Sequence, residues 1–354
     1  MKKRLVGLDY LKVLATLMVL ALHVHIYRID FVQSGKMINV VQYALRLISE
    51  GVPLFVITNG FLLFRKEKID VKKIYSKALL YFVLYLVFGT LTILIVHAEE
   101  KMTLNAFMTE LLSISSGKPY TGSLWFIQNL IAIYLIFPPL HYLYKNNYPV
   151  FLNLLKVVLL FSVGLNTVNL IGEIFLRIDA DKFSAFAGVT TAFENFDPFR
   201  ISSFLLFFML GAYVDRNLEK ITARIGKLWA VSLLCWAASV FYAVTMSRMT
   251  IHLLEPDFCY GSVFMVIQVV TVFVTFLQIP EKNNLFEKAA GYISSCSLWI
   301  YFVHNILIFL LLTRLPFSSM SQRLIFLAAV FLISLIIASV IRPIEKALTA
   351  RRGG

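Results

Sequence analysis

Asp9, Lys12 and His23 are ionisable side chains inside a stretch, residues 8–27, that is otherwise apolar enough to dissolve in lipid. On a helix the eleven positions between Lys12 and His23 bring them within about 20° of each other, and Asp9 falls within about 40° of His23. All three share one stripe. An ionisable group at membrane depth costs roughly 2.5–3.5 kcal/mol on insertion scales, so such groups face a bundle interior or a water-filled cavity. The chemistry on offer is specific. An imidazole can take and return a proton near neutral pH, an ammonium can hold an anion, and a carboxylate can orient either. Each residue also has a purely structural reading. A transmembrane histidine can bond a neighbouring helix, and Asp9, one turn from Lys12, can neutralise it or serve the helix N-terminus. His25, about 200° around from His23, is expected at the interface.

A second group lies near the other end of the chain. His304 has Ser297 seven residues before it on nearly the same helical face and Tyr301 one turn away, which suits a cavity lining or a polar helix contact equally. Glu50, at the start of the second apolar segment, is expected at a depth like that of His23, where it would orient the ring or raise its basicity. Trp125, Gln128, Asn129 and Tyr134 could bind a sugar by stacking and hydrogen bonding, or anchor a helix at the membrane edge.

The elements that must position these groups are helices. The 354 residues are 59% hydrophobic and 15% charged, with a mean hydropathy of +0.79, which excludes an ordinary soluble domain. Apolar runs near 20 residues predict an all-α polytopic membrane bundle of about ten helices, at 8–27, 43–64, 76–97, 123–143, 150–172, 200–215, 228–247, 260–279, 292–313 and 322–341. One domain over residues 1–354 is expected, with no appended soluble domain.

The net charge of +13 reads as topology rather than nucleic-acid binding. Lys2, Lys3 and Arg4, the run from Arg65 to Lys77, Lys145, the run from Arg216 to Lys227, Lys282, Lys288 and the run from Arg342 to Arg352 fall in alternate loops and hold twenty of the 33 Lys and Arg. The positive-inside rule then puts both termini in the cytoplasm. The opening MKKR followed by an apolar run is expected to be a retained first helix, because Asp9, Lys12 and His23 are foreign to a signal peptide. Cys235, Cys259 and Cys296 have no metal or redox spacing. Two outer connections are long. The first, 98–122, contains an amphipathic piece, Leu104 to Ile114, that suits the membrane interface; the second, 172–199, mixes charges with aromatics and suits an acceptor.

Five strings together resemble the membrane acyltransferase-3 superfamily: RLVGLDYLKVLATLMVLALH from Arg4, GVPLFVITNGFLL from Gly51, LWFIQNLIAIYLIFPPL from Leu124, FFMLGAYV from Phe207 and SLWIYFVHNILI from Ser297. They occur in family order along the whole chain. The resemblance implies a bundle of about ten helices that takes an acyl group from cytoplasmic acyl-CoA, commonly acetyl-CoA, to a hydroxyl of a carbohydrate, glycolipid or cell-wall polymer. Lys12 and His23 occupy the family's hallmark pairing of a basic residue with a first-helix histidine. This chain departs from the family in places. It has Lys12 where arginine is commoner, which removes planar bidentate contact but keeps a point charge. Asn59 stands for a common serine, and Ser123 precedes Leu124 where some members have histidine. Many relatives carry an extracytoplasmic esterase-like domain, and none is expected in this chain.

Acyl transfer from a thioester to a hydroxyl needs a base, oxyanion stabilisation and a hold on the donor. His23 is the expected base, joined by Glu50 and His304. Asp9, Lys12, Asn59, Trp125, Gln128, Asn129, Tyr134, Ser297 and Tyr301 are the expected binding residues. Lys12 lies about 16 Å below His23, a span like that of a pantetheine arm. Lys12 and the basic loop Arg65, Lys66, Lys68, Lys72, Lys73 and Lys77 are therefore expected to hold CoA phosphates. Direct attack on the thioester and relay through an acyl-enzyme both remain open. No metal is expected. The expected partners are acyl-CoA, an envelope acceptor and the lipid bilayer, with a homo-oligomer or an extracytoplasmic protein as further options, in a multi-pass cytoplasmic (inner) membrane location. The competing reading is a transporter or flippase of a polysaccharide or lipid-linked precursor, whose mark would be internal symmetry between halves.

Overall fold

The computed structural model describes residues 5–25, 51–98, 102–112, 122–178, 201–250, 260–312 and 319–350, and all the regular structure in them is helical. Eleven α-helices follow in order: α1 (Val6–His23), α2 (Gly51–Phe64), α3 (Val71–Val96), α4 (Leu104–Leu112), α5 (Trp125–Asn146), α6 (Tyr148–Ile178), α7 (Ile201–Thr222), α8 (Ile225–Thr250), α9 (Val263–Leu277), α10 (Leu285–Leu312) and α11 (Met320–Ala350). Lipid offers no partner for a backbone N–H or C=O, so an apolar chain closes its hydrogen bonds within each segment. Seven of the helices, α1, α3, α5, α6, α8, α10 and α11, are long and apolar enough to cross a membrane, while α2 and α9 are shorter apolar helices. The ten expected segments each contain one helix. The eleventh is α4, which matches the amphipathic piece and buries none of its residues. The first half of the second segment and residues 179–200 lie outside the described residues.

The chain falls into two compact units, each drawn from separated stretches. One contains Met1–Ile26, Asp70–Ile136 and Pro280–Gly354; the other contains Tyr27–Ile69 and Phe137–Ile279. The boundary inside α5 falls just before Pro138 and Pro139, two residues without the N–H that would bond the preceding turn.

In the first unit α10 packs against α1, α3 and α11. Its N-terminus is held by Asn284, whose side chain accepts from the Glu287 N–H at 2.9 Å. The buried Glu287 carboxylate accepts in return from the Lys282 and Asn283 N–H groups. This is a capping box shifted toward the preceding turn. At the other end of α1, His25 adopts a positive φ of 49°, and its carbonyl accepts from Arg323 Nη1 at 2.6 Å, tying α1 to α11.

The second unit is built on contact between α2 and α7. Gly60 faces the Phe208 backbone and Gly211 faces the backbone of Ile57 and Phe61, so closely that a Cβ at either glycine would overlap main-chain atoms. Small residues of this kind let transmembrane backbones approach. Phe64 lies at the centre of the aromatic core, with Phe137, Tyr144, Phe151 and Phe208 ring centroids 5.1–5.5 Å away.

Candidate active site

His23 closes α1 and His304 lies in the middle of α10, and the packing of these helices sets the two imidazoles edge to face with ring centroids 4.9 Å apart. Each ring is tied to its own helix. His23 Nδ1 lies 2.8 Å from the Val19 carbonyl, and His304 Nδ1 is hydrogen-bonded to the Tyr301 carbonyl. A carbonyl only accepts, so Nδ1 carries the proton in both rings, and in the neutral form Nε2 carries the lone pair. His304 is fully buried, and its Nε2 has no hydrogen-bond partner among the described residues. A buried basic nitrogen left in that state is costly unless something uses it.

A clamp supports the pair. Tyr301 and Asn305, one turn apart on α10, both grip Ser123 in the short 3₁₀ turn Gly122–Leu124 that leads into α5. The Tyr301 hydroxyl donates to the Ser123 carbonyl, and Asn305 Nδ2 donates to the Ser123 hydroxyl. All three residues are buried. Ring contacts continue from Phe126 to Tyr301 at 5.0 Å and from Tyr301 to His304 at 5.4 Å, so α5, α10 and α1 share one polar-aromatic seam.

Among the expected residues, His23, His304 and Tyr301 are therefore brought together. Ser297 lies two turns below His304 on α10, half-buried, and donates to the Ser294 carbonyl at 2.9 Å. Trp125, Gln128 and Asn129 form the first turns of α5, directly after the clamped Ser123. Asn129 is buried and its Nδ2 donates to the Trp125 carbonyl at 3.3 Å, while Gln128 Oε1 is buried without a partner among the described residues. Tyr134 is fully buried and forms a cage with Tyr81, at 5.5 Å, and the Lys77 ammonium, 5.2 Å above its ring. Asp9 and Lys12 are half-buried on α1, with the Lys12 carbonyl accepting from Thr16 Oγ1 at 2.8 Å. Since α1 is one unbroken helix, Lys12 stays about 16 Å along its axis from His23. Asn59, half-buried in α2, belongs to the other unit. Glu50 lies outside the described residues.

The basic loop is divided. Arg65 pairs with Asp215 at 3.3 Å and lies 4.9 Å from the Phe61 ring, and Lys73 pairs with Asp70 at 3.8 Å. The Lys66 carbonyl accepts from His141 Nε2 at 2.8 Å.

Ser123 and Asn305 were not among the expected site residues. The signal for Asn305 was its spacing of four from Tyr301, which puts both on one face of α10. The signal for Ser123 appears only once that face meets the turn before α5.

No curated protein and no solved structure matches the chain. A family model described as an acyltransferase domain matches residues 5–342, a span that takes in both imidazoles, the clamp and both compact units. The chain belongs to the acyltransferase-3 family, as a multi-pass helical membrane protein.

Proposed function

We propose that the protein is an integral-membrane O-acyltransferase that moves an acyl group, preferably acetyl, from cytoplasmic acyl-CoA to a hydroxyl of a carbohydrate, glycolipid or cell-wall acceptor on the outer side of the cytoplasmic membrane. The observation that supports this reading is the imidazole pair: two rings on two helices, each bonded through Nδ1 to a carbonyl of its own helix, which leaves Nε2 as the basic nitrogen. In the proposed reaction His23 Nε2 accepts the acceptor hydroxyl proton as that oxygen attacks the thioester carbonyl. The new C–O bond forms, the C–S bond breaks, and the imidazolium returns the proton to the leaving thiolate, so the products are an ester and free CoA. His304, edge-on to His23 and held by its own carbonyl, keeps the base in place and offers a second Nε2 to the acceptor or the developing oxyanion. Lys12, in phase with His23 and about 16 Å away, holds a phosphate of the donor, while Trp125, Gln128 and Asn129 contact the acceptor.

The test is transfer or hydrolysis of labelled acetyl-CoA by purified protein in nanodiscs, with a panel of glycan acceptors, comparing wild type with His23→Ala and Lys12→Ala. The reading requires turnover in the wild type, its loss in His23→Ala with acyl-CoA binding kept, and weaker donor binding in Lys12→Ala. Acyl-CoA neither bound nor consumed by the wild type would remove the donor assignment and favour export of a polymer or lipid-linked precursor.

A further inference from the structure

The elbow between α7 and α8 gathers three cations into one groove, while several charges near it in the second unit are paired. Arg216 lies 3.9 Å from the Tyr148 ring centroid, and its neighbour Asp215 pairs with Arg65. Lys145 pairs with Glu67 at 3.4 Å. Lys220, Arg224 and Lys227, by contrast, enter no ion pair among the described residues. The one acid between Arg216 and Lys227 is Glu219, and it does not line the groove that these three cations share.

That groove is open and holds about 740 Å³. Its shape comes from a break in α7. Asn217 leaves helical geometry, at φ −115° and ψ 17°, and its side-chain amide donates back to the Tyr213 carbonyl at 2.9 Å. The last turn of α7 is thereby bent away from the helix before α8 begins at Ile225. The groove's lining combines Asn217 and the three cations with the apolar side chains of Ile221, Leu228, Val231 and Ile267. The sequence changes character at the same level. α7 is apolar up to Val214 and polar from Asp215, and α8 turns apolar from Leu228. Trp229 stands beside the groove with its indole N–H on Thr275 Oγ1 at 3.0 Å, the kind of residue that marks a membrane–water boundary.

We propose that this elbow is a binding site for an anionic phospholipid, its headgroup phosphate among Lys220, Arg224 and Lys227 and the first methylenes of its chains against the apolar lining. A soluble phosphate compound would satisfy the cations and leave the apolar lining wet. A zwitterionic lipid would cover the apolar lining and add a further cation to three that already lack a partner. An anionic amphiphile answers both, and basic residues close to a membrane surface select for such lipids. The site is independent of the reaction proposed above.

Native mass spectrometry of the full-length protein in detergent, titrated with phosphatidylglycerol or phosphatidylcholine of matched chains, tests the site. Wild type should bind phosphatidylglycerol about tenfold or more tightly than phosphatidylcholine. The variant Lys220→Gln/Arg224→Gln/Lys227→Gln should lose that preference with phosphatidylcholine binding and elution volume unchanged. Lys68→Gln/Lys72→Gln/Lys73→Gln, which removes equal charge elsewhere, should keep it. If the first triple variant does not fold, Arg224→Gln alone should cut the preference by about threefold. Equal lipid binding by the wild type, equal loss in the two triple variants, or a preference retained without the elbow cations would each overturn the site. Displacement of phosphatidylglycerol by millimolar 3′,5′-adenosine diphosphate would overturn it in favour of a soluble phosphate ligand.

Discussion

The imidazole seam of the first unit and the cationic elbow of the second handle polar groups in opposite ways. The hydrogen bonds described for His23, His304 and the clamp run between neutral dipoles: helix carbonyls, a phenol, an amide and a serine. His304 and the clamp are buried and His23 is half-buried, and the carbonyl on each Nδ1 fixes which nitrogen carries the proton. At the elbow the groups are formally charged, face an open groove, and Lys220, Arg224 and Lys227 have no protein partner among the described residues. The contrast follows from solvation. Deep in an apolar bundle a full charge is expensive, and a neutral imidazole with one bonded nitrogen costs less than a charge. Near the headgroups water and lipid phosphates stabilise cations, so long basic side chains can stay unpaired until a ligand arrives.

The sharpest way to break this comparison is to remove the proposed base. His23→Ala should lower kcat for acyl transfer by about 10²–10⁴-fold, with unchanged elution and melting behaviour; activity retained to within threefold would show that the imidazole pair is only a structural contact. Gly211→Leu, in the other unit, should act on folding instead of chemistry. Its side chain would meet the Ile57 and Phe61 backbone, which cannot move aside as a flexible side chain can. Overpacking of that kind costs about 1–3 kcal/mol or more, read as loss of monodisperse protein by fluorescence size-exclusion chromatography.

Tyr301→Phe should have an intermediate effect. It removes the phenol's donation to the Ser123 carbonyl while keeping the ring against His304, which should cost about 1–2 kcal/mol of thermal stability and lower kcat more than it changes acyl-CoA affinity. A change confined to affinity would detach the clamp from the imidazoles. The smallest expected effect belongs to Lys145→Ala. Its partner Glu67 is 81% exposed, so stability should shift by no more than about 0.5 kcal/mol, and a larger loss would show that edge charges do structural work.

The class, the helix positions and the family were legible in the sequence because each rests on local properties. Apolar length sets a span, spacing sets a face, and short strings carry the resemblance. His23 and His304 were legible as separate candidates because an ionisable group in an apolar helix stands out wherever it falls. Arg65 shows the limit of that approach. In the sequence it is one cation of a basic loop, and in the fold it is held by Asp215, a residue 150 positions away. Tyr134 shows the same limit, since nothing in its neighbourhood foretells the cage of Tyr81 and Lys77.

By itself the sequence determined that the chain is a helical membrane protein of the acyltransferase-3 family, with a stripe of ionisable residues on its first helix. The tertiary structure alone decided that His23 meets His304 across 281 positions of chain, that Ser123 and Asn305 support them, and that Lys220, Arg224 and Lys227 share one groove. The physical reason is range. Hydropathy and helical phase act within a few turns and can be read along the chain, but which polar groups share a seam depends on which helices pack, and that is settled by close contacts such as those at Gly60 and Gly211 that no local pattern encodes.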